Sequence, residues 1–247
     1  MEPVWLYTLV SVGIVSAASL LGLAGLAFSE ITLRRLTPLM VSLAVGAMLG
    51  DAFIHLLPEA FRQSPSSPVP SLAVLAGILL FFVLEKFLHW KHAHTPLPVS
   101  TFGYLDLLAD ALHNLVDGAL IAAAYLTGIP AGVATTLAVL LHEIPQEAGD
   151  FGVLLQAGFS RNTALLLNFA SACVALAGAL LVLAAGHTVA RVAGLVGPLA
   201  GGGFIYLAAA DLIPELHRER EPRISVLQLA AMICGIGLML LLVGPGR

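Results

Sequence analysis

The chain has 247 residues, 59% of them hydrophobic and 11% charged, with a mean hydropathy of +0.97 and a formal net charge of -4. An ordinary soluble domain carries about 25% charged residues, so this composition excludes a soluble globular fold and defines a membrane protein. Cys173 and Cys234 both fall inside apolar runs and imply no disulfide framework. No basic patch points to nucleic acid, and no phosphate-cradling loop points to ATP.

A bilayer-spanning helix needs about 20 apolar residues. Eight such runs are expected, at 5–28, 36–57, 69–88, 102–127, 131–155, 163–185, 192–213 and 224–243. The fold class is therefore an all-α membrane protein in which residues 1–247 form a single polytopic domain. Met1-Glu2 opens the chain without a basic segment, and the first run exceeds the core of a signal peptide, so span 1 is expected to stay. Arg34, Arg35, Lys86, Lys91, Arg161, Arg218, Arg220 and Arg223 follow spans 1, 3, 5 and 7, whereas Arg62, Arg191 and Arg247 lie on the other side. The positive-inside rule then puts both termini on the outer or periplasmic side of the cell membrane.

Span 2 carries Asp51, His55 and Glu59 at steps of four on one face, with Pro58 near its outer end. A metal-entrance path and a local Asp–His pair that joins helices are both readings of that face. Span 7 repeats the pattern, because DAFIHLLPEA in span 2 and ADLIPEL in span 7 each place an Asp ahead of a Pro-Glu pair. Spans 1 to 3 and 6 to 8 then read as inverted repeats flanking spans 4 and 5, and inverted repeats around a midplane site are a transporter signature. Asp211 and Glu215 in span 7 fit an exit path, although Glu215 also suits a solvated interface.

Span 4 reads YLDLLADALHNLVDGALIAAAYL. At about 100° per residue, with Asp106 at zero, Asp110, His113, Asn114 and Asp117 lie near 40°, -20°, 80° and 20°, which is one stripe. In span 5, with His142 at zero, Gln146 lies at about 40°, Asp150 at about 80°, Glu143 at about 100° and Glu147 at about 140°. Pro145 has no N–H, so the carbonyl of Leu141 is released from its helical bond. Span 6 adds Asn168 and Ser171, which either contribute to the same path or join helices by interhelical hydrogen bonds.

An ionisable group at mid-membrane costs about 2.5 to 3.5 kcal/mol. The eight such groups on spans 4 and 5, left facing lipid, would cost on the order of 20 kcal/mol, beyond the stability of a typical protein. They must face one another, water or a cation. Carboxylates alone repel and take up protons, whereas carboxylates mixed with imidazoles and amide oxygens suit a divalent metal such as Zn²⁺, Fe²⁺, Mn²⁺ or Co²⁺. The lack of cysteine on these faces argues against Cu(I).

HNLVDG (113–118) and HEIPQEAGD (142–150) resemble the paired signatures of the ZIP family of divalent-metal transporters, in the branch with the HExPHExGD motif. GDAFIHLLPEA and GGGFIYLAAADLIPEL are similar to family segments in spans 2 and 7. The resemblance implies eight helices with inverted three-helix repeats, and a binuclear site between spans 4 and 5. It also implies metal movement toward the cytoplasm by an elevator-like displacement. Carried over by position, His113 and His142 bind the first metal, Asn114 and Glu143 the second, and Asp117 bridges. Gln146 stands where the family has His or Glu, so the second or bridging position is expected to be weakened and the selectivity broader than zinc.

Around that core, Asp51, His55, Asp110, Glu147, Asp150, Asn168 and Asp211 are expected to line the transport path or to support the ligands from behind. His89, His92 and His94 in HWKHAH suit metal docking on the cytoplasmic side. The expected partners are divalent ions and the bilayer, with Zn²⁺ first and Fe²⁺, Mn²⁺ or Cd²⁺ admitted; a homodimer is admitted but not specified. The metal is cargo, and no enzyme is expected. The competing reading is an intramembrane metal-dependent hydrolase, since HExxH is a zincin signature, but here the second His is Gln146 and a proline interrupts the motif.

Overall fold

The computed structural model describes residues 2–20, 29–63, 67–94, 99–185 and 187–243, and the described residues contain helices and no strand. In chain order the helices are α1 (Glu2–Ser16), α2 (Glu30–Gly50), α3 (Leu57–Gln63), α4 (Val69–His94), α5 (Thr101–Thr127), α6 (Ile129–Ala157), α7 (Arg161–Ala172), α8 (Val174–Ala185), α9 (His187–Tyr206), α10 (Ile213–Leu216) and α11 (Pro222–Val243). Two six-residue π-helical segments, π1 (Asp51–Leu56) and π2 (Leu207–Leu212), join α2 to α3 and α9 to α10. The predicted spans thus become α1, α2–π1–α3, α4, α5, α6, α7–α8, α9–π2–α10 and α11.

Among the described residues, seven helical stretches are long and apolar enough to cross a membrane, at 3–20, 31–62, 69–88, 101–127, 161–185, 196–216 and 222–241. The eighth pass is α6, whose 29 residues suffice in length. It falls short in apolarity because His142, Glu143, Gln146, Glu147 and Asp150 lie along it, the same residues that mark it chemically. The helix runs unbroken through Pro145.

Local chemistry sets the joints. Ser29 and Ser160 accept hydrogen bonds from the N–H groups of Thr32 (3.2 Å) and Thr163 (3.3 Å), capping α2 and α7. A single residue, Gly128, separates α5 from α6, with φ 156° and ψ 152°. That region belongs to glycine, and the reversal it permits sets the two polar helices side by side. Gly158, at φ 105° and ψ 10°, closes α6 with a left-handed cap.

Three helix pairs meet backbone to backbone through reciprocal glycines. A Cβ at Gly46 of α2 would lie 2.1 Å from the Met232 carbonyl oxygen, and one at Gly235 of α11 would lie 2.5 Å from that of Leu43. Gly77 of α4 and Gly202 of α9 stand likewise against Leu199 (2.1 Å) and Val74 (2.2 Å), and Gly118 of α5 and Gly178 of α8 against Ala175 (1.8 Å) and Leu115 (1.9 Å). Small residues allow this approach where lipid supplies no hydrophobic drive between helices. Met48, Phe81, Phe204 and Leu207 belong to one buried core between α2, α4, α9 and π2. Val12, Ile121, Val139 and Val182 form another between α1, α5, α6 and α8. The polar stripes of α5 and α6 lie between these cores.

Candidate metal centre

All five polar residues of the α5 stripe, Asp106, Asp110, His113, Asn114 and Asp117, are buried, as are His142, Glu143, Gln146, Glu147 and Asp150 on α6. No Lys or Arg is buried among the described residues. Among the described residues, lysine and arginine therefore do not balance these carboxylates.

His113 and Asp117 of α5 and His142 and Glu143 of α6 each offer one ligand atom, and the four atoms lie within 4.8 Å of one another. The Asp117 Oδ2 atom sits between the two imidazoles, 2.9 Å from His142 Nε2 and 3.5 Å from His113 Nε2. Glu143 Oε1 is 3.4 Å from His113 Nε2 and 3.8 Å from His142 Nε2. Two ring nitrogens and two carboxylate oxygens thus converge, a donor set that suits Zn²⁺ and its first-row neighbours. Both Glu143 oxygens, Asp117 Oδ1, Asn114 Oδ1 and both amide atoms of Gln146 are buried without a hydrogen-bond partner among the described residues. Each such atom costs about 1–3 kcal/mol, and ligation of a divalent cation offsets that cost for the acceptors among them.

The surroundings explain the convergence. Gly118, directly after Asp117, lets α8 close onto α5. Gly149, between Glu147 and Asp150, lets Ala44 of α2 press against α6, where a Cβ would meet the Ala44 Cβ at 2.6 Å. Phe204 of α9 lays its ring 5.2 Å from that of His113. The sequence offered no sign of this aromatic neighbour, because Phe204 reads as an ordinary apolar residue of span 7.

The remaining predicted residues divide. Asp51 and His55 of π1 reach the group, with Asp51 Oδ2 3.3 Å from His113 Nδ1 and the His55 ring centroid 5.5 Å from that of His142. Asn114 donates from Nδ2 to Asp110 Oδ1 at 2.8 Å and leaves its own Oδ1 without a partner among the described residues. Asn168 of α7 donates to Glu147 Oε2 at 2.6 Å, which places it beside the α6 stripe, and Ser171 donates back to the Asn168 carbonyl at 2.9 Å. Asp211 lies half-buried in π2. The side chains of His89, His92 and His94 lie outside the described residues. A contact the sequence did not suggest ties the end of α6 to α10, where Gln156 donates to Glu215 Oε1 at 3.2 Å and Arg218 pairs with the same carboxylate at 2.9 Å.

A polytopic helical fold with a buried histidine–carboxylate group between two adjacent helices defines a class of membrane protein with a group that could hold a metal ion at its centre. The sequence matches the family described as ZIP zinc transporter over residues 2–100 and 91–243, and the chain belongs to that family. It is 40% identical over 217 residues to zinc transporter ZIP13 of Pongo abelii, an alignment covering 82% of this chain and 65% of that protein. It is 34% identical to ZIP13 of Mus musculus (82% and 69%) and 31% identical to zinc transporter SLC39A7 of Rattus norvegicus (96% and 72%). The chain thus spans about two thirds of the length of these relatives.

Proposed function

We propose that this chain moves a divalent metal ion, Zn²⁺ first with Fe²⁺, Mn²⁺ and Cd²⁺ also accepted, from the outer side of the membrane into the cytoplasm. The observation that carries the proposal is the convergence of His113, Asp117, His142 and Glu143 within 4.8 Å at a buried place, with no buried Lys or Arg among the described residues to neutralise them. Family membership supports the same reading. His113 and His142 hold the first metal with Asp117 bridging, and Glu143 reaches toward a second position that Asn114 and Gln146 complete only weakly. Asn114 donates to Asp110 through Nδ2 and offers only its neutral Oδ1, and Gln146 brings no charge.

Asp51 and His55 lead in, Asp110, Glu147, Asp150 and Asn168 line the way beyond the site, and Asp211 stands toward the exit. His89, His92 and His94 would receive metal on the cytoplasmic side, with both termini outside.

The inverted repeat is supported at residue level. Gly46, π1, Pro58 and Glu59 recur in the same order and at the same spacing as Gly202, π2, Pro214 and Glu215. The glycine contacts of α2 with α11 are mirrored by those of α9 with α4, as a repeat mapping span 2 onto 7 and span 3 onto 8 requires. An elevator-like step would displace α1 and α5–α8 against the other helices.

Purified protein in liposomes, tested for uptake of Zn²⁺, Fe²⁺, Mn²⁺ and Cd²⁺ across a pH series, decides the matter. Saturable uptake lost in His113→Ala is expected. Absence of metal uptake together with metal-dependent cleavage of peptide or lipid would replace this reading with the hydrolase.

A further inference from the structure

The Asp51 carboxylate faces two histidines at once. Its Oδ1 lies 2.9 Å from His55 Nδ1 and its Oδ2 lies 3.3 Å from His113 Nδ1. Asp51 is fully buried, and the second pair of atoms, Asp51 Oδ2 and His113 Nδ1, face each other at a distance just short of a hydrogen bond, neither having a hydrogen-bond partner among the described residues. An ionised carboxylate is an acceptor only, so each imidazole can meet it only with hydrogen on Nδ1. In the neutral ring that choice leaves the lone pair on Nε2. For His113, Nε2 is the atom that faces Asp117 and Glu143, so the tautomer demanded by Asp51 is the one a metal at that group requires.

The backbone is shaped to deliver this contact. Asp51 begins π1 and His55 lies within it. π-helical turns are rare and concentrated at functional sites. In π1 the wide turn sets Asp51 and His55 in one bonded pair while α5 comes close enough for the second oxygen to reach His113.

We infer that Asp51 is a positioning residue of the metal centre, one carboxylate oxygen orienting His113 and the other orienting His55. It acts through the imidazoles and does not itself bind the metal. Metal-ligating histidines commonly donate their second ring N–H to a carboxylate, which fixes tautomer and orientation and raises ligand basicity, and loss of that partner costs about 10–100-fold in affinity. A carboxylate that serves only to join helices would instead change stability and leave metal affinity alone.

The inference rests on the metal centre proposed above, and the test separates the two. Zn²⁺ affinity by calorimetry and imidazole number by X-ray absorption are measured on the detergent-purified full chain for the parent, Asp51→Asn, Asp51→Ala and His113→Ala. Asp51→Ala is expected to bind Zn²⁺ about 10–100-fold more weakly with fewer imidazoles around the metal. Asp51→Asn keeps the shape and one acceptor oxygen, so it should recover part of the loss, and it keeps the test decisive if the alanine variant does not fold. Parent-like affinity in Asp51→Asn with loss of binding in His113→Ala would overturn the role of Asp51 alone. An unchanged imidazole count with one oxygen lost would make Asp51 a ligand and overturn it as well. Parent-like binding in His113→Ala would overturn the metal centre itself.

Discussion

Gly118→Ala perturbs the site without touching any group that would bind metal. Its new Cβ would stand 1.8 Å from the Ala175 carbonyl oxygen, 2.6 Å from the Ala175 carbonyl carbon and 2.9 Å from its Cα. An ordinary contact to that oxygen needs roughly 3.2 Å or more, set by van der Waals radii, so α5 and α8 must part by more than an ångström. The obstacle is backbone and cannot swing aside, and the reciprocal contact of Gly178 with Leu115 must open too. Overpacking of this kind costs about 1–3 kcal/mol. Asp117 is the adjacent residue, and its 2.9 Å contact with His142 moves with the helix. A misplacement of about 1 Å costs an enzyme site on the order of a hundredfold, and a comparable loss of metal uptake is expected here. Gly13→Ala is the control, because a Cβ there meets nothing within 4 Å. Thermal unfolding in detergent and tracer uptake in liposomes read the two effects. Parent-like stability and uptake in Gly118→Ala would refute the close seating of α5 on α8 and with it the account of why Asp117 sits where it does.

Gln146→His places an imidazole at a buried position whose present amide atoms both lack partners among the described residues; calorimetry is expected to show tighter Zn²⁺ binding and uptake competition a narrower metal range. Gly128→Ala forces a side chain into a backbone region at φ 156° and ψ 152°, so a destabilisation of about 1–3 kcal/mol is expected in thermal unfolding, with reduced uptake because the α5–α6 reversal sets the site. Tyr125→Phe removes the buried 2.8 Å hydrogen bond to Ser11, at a cost of about 1 kcal/mol in thermal unfolding and with metal affinity by calorimetry unchanged.

The site helices were legible because helical periodicity gathers charges onto one stripe, and charges on a lipid-immersed helix are too costly to occur idly. Every polar residue assigned to the α5 and α6 stripes is buried. The π-helical turns were not legible, since DAFIHL and LAAADL share little chemistry beyond their place in each span. Asp51 was legible as a path residue, yet its grip on two histidines depends on α5, far along the chain, meeting π1 in space. The partnership of Asn114 with Asp110 was within reach, because the two share one helix face a turn apart.

The glycine contacts also set where the molecule can shear. At α2–α11, α4–α9 and α5–α8, glycines on both helices rest against carbonyl oxygens of the other, so an axial step at any of these joints drives backbone into backbone. Between α2 and α6 the glycines lie on α6 alone, and Gly149 and Gly152 meet first the Cβ atoms of Ala44 and Met40, with the Ala44 Cα next at 2.8 Å and no carbonyl oxygen among the nearest atoms. A displacement that spares the reciprocal joints would therefore run along this seam. Such a step carries His113, Asp117, His142 and Glu143 together, since all four belong to α5 and α6, and leaves Asp51 and His55 behind on π1. The ligand group would travel intact, and the His113–Asp51 contact would be made and broken once in every cycle while the Asp51–His55 pair stayed whole.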